Sequence, residues 1–216
     1  LGQLCCQMGN YKEGIIYYDQ ANMCETGKAE AYCLKAYAQI AEGKITQAIS
    51  SFDKAIENEK DHAFTFGERL YWKNNICDWS NFEHDLNFIN LKIKENKCIS
   101  PPLAACSFFD DPEIQKLGAE LFVNQRFPLD KSLELINKYP KNKRIKIGYF
   151  SGDFRDHPVA YLVTELFEKH DKSKFELFAF SVSDRIESET RLRIEKPFDE
   201  FIDVANLSDK DVALLA

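Results

Sequence analysis

The order of hydrophobic and polar positions divides the chain into a helical half and a strand–helix half. In the first half the pattern repeats every 34 residues. Gly9 corresponds to Gly43, Gly14 to Ala48, Ile15 to Ile49, Tyr18 to Phe52 and Ala21 to Ala55, within the segments MGNYKEGIIYYDQA (8–21) and EGKITQAISSFDKA (42–55). Small residues at one position and large ones a turn later are what paired antiparallel helices need to approach closely. The pattern predicts a first helix through Ala31–Ala38 and a second from Ile45 to Glu57. At the same phase a degenerate third unit places Cys77, Trp79 and Leu86 where Gly43, Ile45 and Phe52 stand. Its segment Cys77-Asp78-Trp79-Ser80-Asn81-Phe82 is bulky, so Trp79 and Phe82 are expected in core or interface packing, closing the array.

Residues 98–142 are rich in proline. Asp111-Pro112 predicts a capped helix from Pro112 to Phe122, with a second short helix over Leu129–Lys138. The basic run Lys138–Arg144 reads as a solvated linker. Beyond it the period changes. Strands are expected at Ile145–Phe150, Phe175–Val182 and Glu200–Val204, and helices at about Val159–His170 and Glu187–Lys196, with a last one opening at Asn206. In the first of these helices Leu162, Leu166 and Phe167 are read as lying on one face. Strands alternating with helices at this spacing imply a parallel sheet. The last helical pattern is still open at Ala216, so the sheet is expected to continue past it. The 34-residue pattern resembles the tetratricopeptide repeat. The fold class is therefore α plus α/β: a tetratricopeptide-repeat α-solenoid over residues 1–97, a helical, proline-rich linker region over 98–142, and a partial Rossmann-like α/β domain over 143–216.

Charge and cysteine usage narrow the function. A formal net charge of -7 over 216 residues argues against a partner held by phosphate neutralisation, so no nucleic acid is expected. No run of about 18 apolar residues exists, so no membrane partner is expected either. The seven cysteines, Cys5, Cys6, Cys24, Cys33, Cys77, Cys98 and Cys106, form no CxxC pair, so no metal site is expected and a reducing, cytoplasmic setting is the simpler reading.

Candidate chemistry concentrates in Ser151-Gly152-Asp153-Phe154-Arg155-Asp156-His157-Pro158, at the end of the first strand. The C-terminal ends of parallel strands are where α/β sheets place ligands. His157 offers an imidazole that can accept a proton or orient a hydroxyl. Asp153 and Asp156 are candidates to orient it or cap the next helix, capping being the reading for Asp156 and the holding of backbone amides for Asp153. Gly152 is assigned to the turn, since no phosphate-binding glycine pattern is present. His62, His84 and His170 are read as structural or solvated.

Taken in order, the repeats, Cys77-Asp78-Trp79, Asp110-Asp111-Pro112, Ile147–Phe154 with His157-Pro158, Lys174–Ser181 and Phe201-Ile202-Asp203 resemble the O-linked N-acetylglucosamine transferases and their SPINDLY-type relatives, particularly the bacterial members. The resemblance implies a two-lobed GT-B glycosyltransferase, with residues 143–216 an incomplete N-terminal lobe. It implies UDP-GlcNAc as donor substrate, no cofactor or metal, and protein or peptide substrates selected by the repeat groove. The family's lysine for the donor phosphates, and the lobe carrying it, have no counterpart here, so the chain by itself is expected to be inactive. On the same resemblance His157 is the catalytic candidate, as base or substrate orienter, and Asp153 and Tyr161 are substrate-binding. Many animal members carry a second histidine where this chain has Tyr161, so a role for that ring nitrogen does not transfer. A repeat scaffold that binds proteins, or a family member using GDP-fucose or another acceptor, is the alternative.

Overall fold

The computed structural model describes residues 1–24, 26–133 and 142–216. It divides into two compact units, Leu1–Leu129 and Asp130–Ala216. Of the short helix expected over Leu129–Lys138, residues 129–133 are turn and loop, and the remainder, with most of the basic run after it, falls on residues 134–141, outside the described residues.

The first unit is helical: α1 Gly2–Gln7, α2 Tyr11–Ala21, α3 Lys28–Ala41, α4 Ile45–Asn58, α5 Thr65–Asn75, α6 Phe82–Lys94, α7 Pro102–Phe108 and α8 Pro112–Arg126. Helices α1/α2, α3/α4 and α5/α6 are the three repeat units. The small positions do what the pattern requires. A Cβ on Gly14 would sit 2.5 Å from Cys6 Sγ, and Ala48, its equivalent, is fully buried against Cys33, Ala36 and Phe52.

Each first helix hands over to the second through the same turn. The second residue past the helix takes left-handed backbone: Gly9 at φ 79°, Gly43 at 73° and Cys77 at 57°. The following amide then reaches back five residues, Asn10 N to Cys5 O and Lys44 N to Gln39 O at 2.8 Å, and Asp78 N to Lys73 O at 2.9 Å. This is a Schellman closure, which satisfies the carbonyls a helix end leaves open. Glycine adopts that backbone freely, whereas a Cβ costs about 1–2 kcal/mol there. Cys77 is exposed, so its thiol contributes little packing in return. Cys77→Gly is expected to raise stability by about 1 kcal/mol in urea unfolding; an unchanged or lower midpoint would count against this account of the turn.

The third unit departs from the period after this turn. The 34-residue repeat puts the start of its second helix at Trp79, but α6 starts at Phe82. Only Phe82 joins the core, together with Leu86 and Ile89. Trp79 is 58% exposed and meets Phe82 edge-on at 5.8 Å, so the packing expected of it does not occur within this unit. In the stretch read as a linker, Pro102 opens α7 and Asp111 caps α8 by accepting from Glu113 N and Ile114 N. Ile99, Ala105, Phe109 and Ile114 then complete a core with Phe66, Leu70, Ile89 and Ile93 of the third repeat.

The second unit holds β1 Ile145–Ser151, α9 Pro158–Lys169, β2 Phe175–Ser181, α10 Glu189–Glu195, β3 Glu200–Asp203 and α11 Asp209–Leu215. The strands are parallel in the order β1-β2-β3, with Ser151 level with Ser181 and Ser181 with Asp203. Alternation sends Ile147, Tyr149, Leu177, Ala179 and Phe201 to one face, where they pack with Phe154, Phe167, Ile194 and Phe198. The face expected on α9 is corrected here. Ala160, Thr164 and Phe167 are its buried residues, while Leu162 is 82% exposed and Leu166 half exposed. The small Ala160 lets the helix approach the strands, a position that a count of large apolar residues overlooks.

Asp199 ties the start of β3 to β2. Its carboxylate accepts from Leu177 N and Lys172 Nζ, both at 2.8 Å, and from Arg144 Nη1 at 3.2 Å. The Leu177 amide first, then Lys172, hold its carboxyl well below the usual carboxylate range. A depressed value stabilises the fold above the unfolded carboxylate's pKa, and that contribution drains away as pH falls through the folded value. Asp199→Asn is therefore expected to cost about 1 kcal/mol near neutral pH, the charged bond being discounted for partial exposure. The gap to the parent should close in acid below about pH 3. A pH-independent gap in urea unfolding would show that charge is not the cause.

Candidate functional site

The candidate site is the turn from β1 into α9. Val182 N donates to Ser151 O at 3.1 Å, so β1 and β2 end together. Ser151 Oγ then accepts from Asp153 N at 2.9 Å, a hydroxyl-closed turn. The sequence reading gave Asp153 the task of holding backbone amides; the serine does this, and the Asp153 carboxylate is left to face side chains. It lies 3.6 Å from Arg155 Nη2 and 3.6 Å from His157 Nδ1. Gly152 has ordinary backbone, and a Cβ there would meet Val182 Cγ2 at 3.7 Å, a normal contact. The turn does not depend on it.

His157, not Asp156, caps α9. Pro158 forces the residue before it into extended backbone, observed at φ −153° and ψ 146°. That conformation suits an N-cap, and His157 Nδ1 accepts from Val159 N at 3.2 Å. Asp156 drops out because it lies one residue too early. The cap has a chemical consequence: a ring nitrogen that accepts carries no proton, so in the neutral ring the proton is on Nε2. His157 thus presents a donor from a side chain 36% exposed. Tyr161 lies one turn on, its amide bonded to His157 O at 3.2 Å and its ring mostly exposed. His157 and Asp153 are therefore adjacent, with Tyr161 one helical turn along α9.

The other histidines sit elsewhere. His170 is 2.7 Å from the Tyr149 hydroxyl, His62 lies between Glu30 and Thr65, and His84 is exposed. Sequence reasoning missed Arg191, buried beneath the site turn in the helix expected over Glu187–Lys196. Its signal was its spacing: Ile194, three residues on, falls on the same helical face and is apolar.

Residues 121–214 match glycosyl transferase family 41, and residues 29–62 match the tetratricopeptide repeat. A probable UDP-N-acetylglucosamine-peptide N-acetylglucosaminyltransferase, SEC, of Arabidopsis thaliana is 35% identical over 71 residues, covering 33% of this chain and 7% of that protein. A UDP-N-acetylglucosamine-peptide N-acetylglucosaminyltransferase of Caenorhabditis elegans is 22% identical over 156 residues, covering 61% of this chain and 13% of its own length. Among solved structures, a mutant O-GlcNAc transferase of Thermobaculum terrenum superposes with a TM-score of 0.52 at 21% identity, covering all of this chain and 35% of that one. The chain thus spans a small part of the relatives it matches. It is an array of tetratricopeptide repeats leading into a segment that carries the family 41 glycosyltransferase pattern.

Proposed function

We propose that the chain forms the repeat array and the opening α/β segment of a protein glycosyltransferase that moves N-acetylglucosamine from UDP-GlcNAc to Ser or Thr hydroxyls. The observation that supports this most is the coincidence of the family 41 match with His157 at the C-terminal end of a parallel strand. The activities of the relatives agree with it. In such a transfer the bond from the anomeric carbon to the diphosphate breaks, a bond to the acceptor oxygen forms, and the hydroxyl proton departs. A histidine donating from Nε2 suits the task of orienting an oxygen, acceptor hydroxyl or donor sugar, more than that of removing its proton. Asp153 and Tyr161 flank the same position as substrate contacts. The repeats present a groove for protein substrates, and the thiol-rich chain suits the cytoplasm.

The test uses a protein that carries this chain together with a donor-binding lobe. It is incubated with UDP-GlcNAc or GDP-fucose, a Ser/Thr peptide and EDTA. UDP release with a GlcNAc-sized mass gain on the peptide is the expected result. Transfer from GDP-fucose alone, or none, would overturn the donor assignment. The 216 residues alone are expected to release no nucleoside diphosphate.

A further inference from the structure

We propose that Arg191 is a positioning residue for the Ser151–His157 turn, one guanidinium gathering the C-terminal ends of all three strands beneath it. This rests on the reading of that turn as substrate-facing. Arg191 is 1% exposed, so its charge is desolvated and its donors need partners within the protein. Nε donates to Glu195 Oε1 at 2.7 Å and Nη2 to Asp203 Oδ1 at 2.6 Å. Nη1 is shared between Ser181 Oγ at 3.1 Å and the Phe154 carbonyl at 3.4 Å. The guanidinium carbon lies 4.1 Å from the centroid of the Phe201 ring. The partners thus come from α10 itself, the last residue of β2, the last residue of β3, and the turn after β1.

Two carboxylates would suffice for a buried ion pair. The two neutral acceptors are what couple this one to the site. Arg185 reaches Glu195 at 3.1 Å and Asp203 at 3.3 Å from the exposed side, so the carboxylates are shared by two guanidiniums. Burial works against ionisation of Asp203, and the bonds and charges of Arg191 and Arg185 together outweigh it, leaving that carboxyl below its ordinary value. Phe154 is held twice, by its carbonyl and by a buried ring against Phe167, Phe198 and Phe201. Three residues later stands His157. A planar fork serves four directions at once, and a lysine ammonium on a flexible stem does not reproduce it.

The test is Arg191→Lys in the 216-residue chain, read by NMR. The ring ¹⁵N shifts of His157 report its tautomer, and amide exchange over residues 153–157 reports the turn. His170, hydrogen-bonded to Tyr149, serves as internal standard. The expected result is a folded protein whose loop amides exchange about tenfold faster, with the two His157 nitrogen signals drawn together and His170 unmoved. A folded variant with parental His157 and loop signals overturns the proposal. Should Arg191→Lys unfold, Asp203→Asn carries the same readouts, since it keeps an oxygen acceptor and removes only charge. Parental loop signals in that variant, or loss of its fold, overturn the proposal equally. Failure of the transferase reading would appear in the turnover assay and leave these spectra unchanged.

Discussion

Asp85→Ala is expected to remove about 3–5 kcal/mol from the stability of the repeat unit, the cost of stranding buried charge. Asp85 is 3% exposed and stands between two cations, Arg69 Nη2 in direct contact and Lys73 Nζ at 3.8 Å. Arg69 also holds Asp53 at 2.9 Å and lies over the Phe66 ring, and Lys73 donates to the Ser80 carbonyl. Removing the shared carboxylate leaves Lys73, itself buried, with one neutral acceptor. The same lysine spans the irregular segment between α5 and α6, so the loss reaches the insertion that sets the third unit apart. Asp85→Asn keeps an oxygen and should cost less. Urea unfolding followed by circular dichroism measures both. A loss below about 1 kcal/mol in the alanine variant would mean that solvent already screens the cluster.

The second large effect is on turnover. In a competent enzyme containing this chain, His157→Ala is expected to lower the rate on the order of 10²-fold or more, the usual consequence of deleting one well-placed donor. His157→Gln keeps an N–H near the Nε2 position and should recover part of the loss. A base would behave otherwise, because an amide does not take a proton. Equal activity of parent and alanine variant would remove His157 from the reaction, while equal loss in both variants would favour the base role. The cap is a second thing lost with the ring, so the melting temperature of each variant has to be followed alongside the rate. A missing N-cap costs about 1 kcal/mol, too little to mimic a 10²-fold loss in a folded enzyme.

The repeats were legible because close helix approach leaves a mark in sequence: Gly14 and Ala48 stand where a larger side chain would collide. The strands were legible because alternation over Ile145, Ile147 and Tyr149 has no helical equivalent. What escaped were positions where two rules compete. No helix was expected at Pro101-Pro102, yet Pro102 opens α7, where its missing N–H costs nothing. Asp156 is the better capping residue by type, but Pro158 fixes the backbone at His157 and position wins over type. On α9 two apolar stripes were on offer, and the one containing Ala160 and Thr164 was buried because small residues bring the helix nearer to the sheet. Arg191 was hidden by its charge, since only tertiary partners make a buried guanidinium affordable.

The recurring left-handed turn at Gly9, Gly43 and Cys77 also makes the joint inside each helix pair interchangeable. Every first helix passes the chain to its own second helix along the same backbone path, whatever side chains follow. A turn taken from one unit and set into another would receive and pass on the chain in the same direction. The three turns can therefore be exchanged, as one hinge fits several doors, without rebuilding the helices on either side.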